Sequence, residues 1–225
     1  MPRKKQTRGA CVFCGREMTR GGLNRHLASC AKRKKANAAA PDGASQTLYH
    51  LVARAAYTPD FWLHLEVNGR ATLRDLDSYL RAIWLECCGH MSQFSIGGWA
   101  GREIPMSRAI ESVFSRNVEL THIYDFGSST HTLIKPAGTR QGRPLTGSPV
   151  YLMARNNMPD AECDECGEPA GWYCEDCFVE TGEWIALCQK HLIEHGHDEY
   201  GGPTPLVNSP RLGVCGYRGP AEPPY

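Results

Sequence analysis

The sequence predicts an α+β protein, with a core domain over residues 47–157 and a small cysteine/histidine module on either side. Two observations carry that reading. Short β-type apolar segments fill most of the middle of the chain, and one segment there repeats its apolar residues at helical spacing. C-x2-C pairs with histidines downstream lie on both sides of this middle part.

The N-terminal unit, residues 1–35, combines a basic arm with a finger. Cys11-x2-Cys14, eleven intervening residues and His26-x3-Cys30 make a four-ligand Cys-Cys-His-Cys set. A helix through Leu23-Asn24-Arg25-His26-Leu27 puts His26 and Cys30 one turn apart on one face, so both reach the ion held by the C-x2-C turn. A unit this small buries too little apolar surface to fold unaided, so zinc supplies its folding energy. Residues 36–46 (ANAAAPDGASQ) are small, polar and punctuated by Pro and Gly, and predict a linker.

In the core, Leu48–Tyr57 and Phe61–Val67 flank Thr58-Pro59-Asp60 and predict a hairpin. Leu73, Leu76, Leu80, Ile83 and Trp84 predict a helix over Thr72–Cys88, opened by a Thr72/Asp75 capping box and closed at Gly89. Met91–Ile96, Val118–Asp125, Thr130–Lys135 and Val150–Arg155 predict strands, and the Gly/Pro-punctuated stretch Pro136–Pro149 predicts a long loop. Ser107–Phe114 fits neither pattern well. Strand, strand, helix and then several strands suggest a helix on one face of a mixed sheet, a β-grasp-like arrangement.

Residues 158–225 hold the second module and a Pro/Gly-rich tail. Its ligand candidates are Cys163-x2-Cys166, Cys174-x2-Cys177, Cys188-x2-His191, His195 and His197, enough for two tetrahedral zinc sites. Cys215 is a spare thiol that could replace a histidine or pack as a small apolar side chain. A catalytic zinc keeps one position open beside a carboxylate base. Thiolate-rich full sets are structural, which argues against catalysis at Glu194. The ligand order resembles the B-box class of cross-braced zinc modules. That resemblance implies Cys163, Cys166, Cys188 and His191 on one ion, and Cys174, Cys177, His195 and His197 on the other.

Charge is unevenly placed. Arg3, Lys4, Lys5, Arg8, Arg16, Arg20, Arg25, Lys32, Arg33, Lys34 and Lys35 face only Glu17 within residues 1–35, a local charge of +10 against −9 for the rest. Such a head suits a polyanion. Arg16, Arg20, Asn24, Arg25, Lys32, Arg33, Lys34 and Lys35 are the candidate nucleic-acid contacts, with DNA the expected partner. The opening Met1-Pro2-Arg3-Lys4-Lys5 is no apolar leader, and the cysteines read as metal ligands, so a reducing cytoplasm is the expected compartment. No apolar run approaches the roughly 18 residues of a membrane helix.

Elsewhere chemistry is sparse. Cys87-Cys88-Gly89-His90 offers a partial ligand set and reads as buried thiols beside a capping histidine. His122, Asp125 and His131 could form an acid/base pair, but no nucleophile accompanies them, and a hydrogen-bonded turn is the plainer reading.

The segments Leu73-Arg74-Asp75-Leu76, Ile83 through Ser92, Tyr124-Asp125-Phe126-Gly127 with His131, Val207 through Arg211 and Gly213 through Tyr217 resemble the Ri-plasmid "open reading frame three" family. Some of its members are described as TnpR-like passengers of a mobile insertion element. Ser128 and Thr130 stand where that family usually has aspartate and tryptophan. The resemblance covers about residues 47–219 and implies an α+β domain in a bacterial mobile-element setting. A serine recombinase needs a nucleophilic serine in an arginine-rich site, and residues 47–157 show no such cluster. The expected function is that of a non-catalytic, zinc-binding, DNA-associated accessory protein that also contacts a protein partner. The alternative is a zinc-stabilised protein-interaction adaptor that binds no nucleic acid.

Overall fold

The computed structural model describes residues 6–86, 88–116, 118–199 and 202–212. Arg3, Lys4 and Lys5 of the arm, Cys87, Cys215 and the segment Gly213–Tyr217 lie outside the described residues. The chain opens with β1 (Arg8–Cys11), β2 (Glu17–Thr19), α1 (Arg20–Ser29) and α2 (Ala31–Ala38). The middle holds β3 (Gln46–Ala55), β4 (Trp62–Asn68), α3 (Leu73–Ile83), β5 (Ser92–Ile96), β6 (Arg102–Ile104), α4 (Ile110–Phe114), β7 (Leu120–Tyr124), β8 (Thr130–Gly142) and β9 (Val150–Asn156). The C-terminal part holds β10 (Trp172–Cys174), α5 (Glu175–Thr181), β11 (Ile185–Leu187), α6 (Gln189–Glu194) and β12 (Pro203–Pro205).

The first nine strands form one sheet in the order β2-β1-β9-β4-β3-β8-β7-β5-β6. Its pairings are all antiparallel, so the mixed sheet expected from the sequence is corrected. A parallel pair needs a crossover between neighbours. Here the α3 crossover carries the chain from β4 to β5, which are not neighbours. β10, β11 and β12 make a separate small antiparallel sheet.

β4 sorts the two faces of the large sheet. Leu63, Leu65 and Val67 join Leu51 and Ala53 of β3 in the main core, and α3 caps them with Leu73, Leu76, Leu80 and Ile83. Each of these leucines is fully buried, worth about 1.5–3 kcal/mol relative to exposure. The Thr72 hydroxyl accepts from the Asp75 N–H while the Asp75 carboxylate accepts from the Thr72 N–H, a complete capping box. α3 ends at Ile83, earlier than the predicted Cys88. Leu85 turns left-handed (φ 60°), and the Ser209 hydroxyl donates to the Trp84 carbonyl.

The predicted loop from Pro136 is also corrected, because β8 runs through to Gly142. Proline lacks an N–H and survives in a strand mainly at an edge or bulge. The register with β3 shifts between His50 and Leu51, opposite Gly138 and Pro136, and that bulge accommodates it.

The core strand β3 begins at Gln46, next to the predicted end of the linker, but the predicted boundary at 35 falls inside a helix. α2 runs across residue 35 into the expected linker. The finger is not a separate head: β1 pairs with β9 and extends the core sheet. Gly9 is required there, since a Cβ would collide with the Arg155 carbonyl oxygen and the Trp62 ring. The tail returns to the core as well: Asn208 bonds Asn156, and Arg211 bonds Asp125.

Candidate metal centres and the docked finger

Three clusters gather the twelve predicted ligands: Cys11, Cys14, His26 and Cys30; Cys163, Cys166, Cys188 and His191; Cys174, Cys177, His195 and His197. Within each, the four ligand atoms lie within 4.8 Å of one another. Cys14 Sγ is 3.2 Å from His26 Nε2. Cys163 and Cys188 stand 3.4 and 3.5 Å from His191 Nδ1, and Cys166 lies 3.9 Å from Cys188. Cys177 Sγ is 3.1 Å from His195 Nε2 and 3.4 Å from His197 Nδ1, and Cys174 is 3.5 Å from His197 Nδ1. No disulfide forms among the described cysteines. These sets could hold metal ions.

Local sequence explains the shapes. In two clusters the C-x2-C pair makes the same tight knuckle: Cys14 and Gly15 donate to the Cys11 carbonyl, and Cys166 and Gly167 to the Cys163 carbonyl. The glycine after each pair turns left-handed, at φ 76° and 73°, a conformation a side chain would strain. The third pair sits on a helix start, where Cys174 Sγ accepts from the Cys177 N–H and caps α5. His26 lies in the last turn of α1 and Cys30 ends it. Cys188 starts α6, which carries His191 and ends at His195.

Metal-free, several thiols are pushed in opposite directions. Burial pushes Cys11 up to about 11, with its neighbour Cys14 adding to the rise. Burial and then Cys174 push Cys177 up to about 11. At Cys163 burial raises the thiol, but hydrogen bonds from the Cys188 backbone and His191 outweigh it and hold it down to about 6. A cation in each cluster removes this conflict, because it favours the thiolate at every position at once.

The finger is fastened through the polar face of β4. Trp62 packs with Cys11, Leu23, Leu27, Cys30, Met153 and Ala154. His64 Nε2–H donates to the Arg20 carbonyl, which leaves its Nδ1 to accept from His50 Nε2–H at 2.8 Å. Glu66 accepts from Arg33 and, through both oxygens, from Arg140.

The predicted nucleic-acid residues therefore divide. Arg16, Asn24, Arg25, Lys32, Lys34 and Lys35 are exposed, and Arg20 is half-buried. Arg33 is a correction: it is buried, with Nη1 on the Leu27 carbonyl and Nη2 on Glu66, so its charge is already neutralised inside the protein. Reading the sequence missed Glu66, His64 and Arg140 as the docking surface. The available signal was the polar residues that alternate within Trp62–Asn68.

The trio His122, Asp125 and His131 is not assembled. His122 Nε2 bonds Asp77 at 2.7 Å. Burial would raise the Asp77 carboxyl, but His122, Ser92 and Arg81 hold it down to about 2. Asp125 instead pairs with Arg211, which lowers its carboxyl. His131 lies against the rings of Tyr57 and Trp99. Cys88 is exposed and belongs to none of the three clusters.

Fold and clusters together define an α+β protein, dominated by an antiparallel sheet, with three four-ligand cysteine/histidine clusters among the described residues that could each hold a metal ion. No family model and no curated protein matches the chain. Among solved structures, a protein of unknown function from Methanosarcina mazei Go1 is similar at 18% identity and a TM-score of 0.39, covering 48% of this chain and 67% of that one. A likeness of that size carries no argument about function.

Proposed function

We propose that this protein is a non-catalytic, zinc-stabilised, nucleic-acid-associated protein, an accessory factor in the mobile-element setting that the Ri-plasmid resemblance implies. One observation carries the reading: Arg16, Arg25, Lys32, Lys34 and Lys35 all stay exposed on a finger fastened to a folded core. Zinc suits the centres. Tetrahedral bonds of about 2.3 Å to sulfur and 2.0 Å to nitrogen imply ligand–ligand edges of about 3.5–3.8 Å. The closest ligand pairs lie 3.1–3.9 Å apart and every pair within 4.8 Å, distances a small shift onto a zinc ion would bring to those edges. In the C-terminal module the ligands alternate between two centres along the chain, the B-box-like cross-brace. The β-grasp likeness extends only to one helix crossing one face of the sheet.

With Arg33 committed to Glu66, about four phosphates are within reach of the remaining exposed cations. The logarithm of duplex affinity should then fall against log salt with a slope of about −3 to −4. Anisotropy of a labelled duplex at several salt concentrations tests this. Replacing Arg25, Lys34 and Lys35 by alanine should flatten the slope and weaken binding. Binding unaffected by these changes would overturn the reading. The adaptor reading has its own support in the module's exposed apolar surface, where Phe178 stacks on Trp184 at 4.0 Å beside half-exposed Val179.

A further inference from the structure

Between the docked finger and the β5–β6 loop, a strip of the large sheet two strands wide is left uncovered. Its floor is Val52 and Arg54 of β3, which lie opposite Lys135 and Leu133 of β8. These side chains share the face away from α3, since they alternate with the buried Ala53 and Ile134. On the next strand, Trp62 and His64 sit opposite Arg54 and Val52 and are covered by the finger. The finger helix therefore forms one wall, presenting Arg20 and Asn24 to a depression of about 290 Å³ shared with Arg54, Leu133 and Lys135.

Aromatic rings form the other end. The Trp99 ring stacks over His131 with a centroid distance of 6.3 Å and a tilt of 25°. Phe126 meets Trp99 edge-on at 5.1 Å, and Tyr57 lies 5.4 Å from His131. Tyr57 is 77% exposed and Trp99 50% exposed. His131 is on the same strand and same face as Leu133 and Lys135, so rings and cations line one continuous track.

The charge in the strip is unbalanced. Arg20 and Arg54 line the same depression, and among the described residues neither forms a salt bridge with a carboxylate. Burial, and then the charge of Arg54, depress the Arg20 guanidinium. One carboxylate, Glu119, reaches the rim and pairs with Lys135 at 3.7 Å, with both side chains well exposed.

We propose that this strip binds single-stranded nucleic acid: phosphates lie along Arg20, Arg54 and Lys135, while bases stack on Tyr57 and Trp99. The inference rests on the nucleic-acid reading of the finger and adds a second surface and a strand preference to it. Cations that track a backbone, interleaved with exposed rings, are what single strands need, because every base has a π face to stack. Aromatic side chains on a four-stranded sheet face can stack two or three bases; the two rings here offer room for about two. Two strands span only about 10 Å, and a duplex, whose major groove alone is about 12 Å wide, does not enter between the walls.

The test uses the full-length, metal-loaded chain with fluorescein-labelled oligo(dT), oligo(U) and a duplex. Wild type should bind single strands, and the preferred sugar follows from comparing the first two probes. Trp99→Ala and Tyr57→Ala should each weaken single-strand binding about tenfold or more, the loss of one stacked base, while duplex binding stays as in wild type. Trp99→Phe should restore most of the loss. Lys32→Ala combined with Lys35→Ala, exposed residues that do not line the strip, should weaken duplex binding. If the ring variants bind single strands like wild type, or lose duplex affinity equally, the strip is not a stacking site, and the finger reading stands or falls on its own duplex data. If wild type binds none of the three probes at low salt, both readings are overturned.

Discussion

Arg33 Nη2 lies 2.8 Å from Glu66 Oε2, with side chains only 10% and 3% exposed. The pair joins α2 to β4, and Arg140 closes on the same carboxylate from β8 at 2.6 Å. A cation in the basic head thus anchors it to the core.

This arrangement separates Arg33 from its neighbours. Arg33→Ala should destabilise the protein by about 2 kcal/mol, less than the 3–5 typical of a broken buried pair because Arg140 still compensates Glu66. Urea unfolding measures the loss. The salt slope of duplex binding should not change, whereas Lys34→Ala should shift it by about one. An unchanged unfolding midpoint with an altered slope would mean that Arg33 faces nucleic acid after all.

What was legible in the sequence was local. Cys11-x2-Cys14 with Gly15, and Cys163-x2-Cys166 with Gly167, specify their knuckles within five residues, and Thr72 with Asp75 specifies the start of α3. What stayed hidden depended on partners far along the chain. Glu66 and Arg33 are 33 residues apart, and Glu66 and Arg140 are 74 apart. His122 looked like a partner for nearby Asp125, yet it bonds Asp77, 45 positions away. Pro136 suggested a loop because the bulge that tolerates it is fixed by the register of β3. Alternation on β4 marks which residues share a face, but not whether water or another element covers that face.

Metal removal should act unequally on the two modules. The C-terminal module's own buried cluster consists of Cys174, Cys177 and Leu187, so two of its three members are ligands. The finger's ligands share a cluster with Trp62, Leu23, Leu27, Met153 and Ala154. Chelation should therefore open residues 160–200 to protease first, with the finger and the large sheet protected longer. Intact protein should hold three zinc ions by metal analysis. Cys174→Ser should lose one or both module ions and keep the finger ion, since a structural zinc contributes on the order of 10 kcal/mol to small modules. Equal protease sensitivity of both modules after chelation would contradict the docking.

The His50–His64 pair should make stability fall in mild acid. Burial lowers His50 to about 4, with Arg33 adding to it, and lowers His64 to about 3, with His50 adding to it. Both folded values lie below the ordinary 6.5, so between there and about 4 the unfolded chain takes up protons that the folded chain does not. Stability contributed by these histidines is complete above pH 6.5 and falls by about 1.4 kcal/mol per pH unit for each as acid is added. His50→Gln should halve that slope in urea titrations run at several pH values. A variant with the wild-type slope would show that His50 is protonated in the folded state.

Glu86 should give a slope of opposite sign. It is 3% exposed, and neither carboxylate oxygen has a hydrogen-bond partner among the described residues. Burial raises its carboxyl to about 6, although His122, Arg81 and Arg211 pull it down. The folded state thus holds its proton at pH values where the unfolded chain, at 4.5, has released it. Its contribution is complete below pH 4.5 and lost as pH rises through 6, which costs about 2 kcal/mol above that point. Glu86→Gln keeps the shape without the charge. The variant should be about 1–2 kcal/mol more stable than wild type above pH 7, part of the gain being offset by the amide's own unmet hydrogen bonds. The difference between the two proteins should shrink steadily from pH 6 to 4.5, a change that isolates Glu86 because the histidine slope is common to both. Urea unfolding of the pair across that range measures it, and a Gln variant less stable than wild type at neutral pH would mean that the Glu86 charge is compensated in the folded protein.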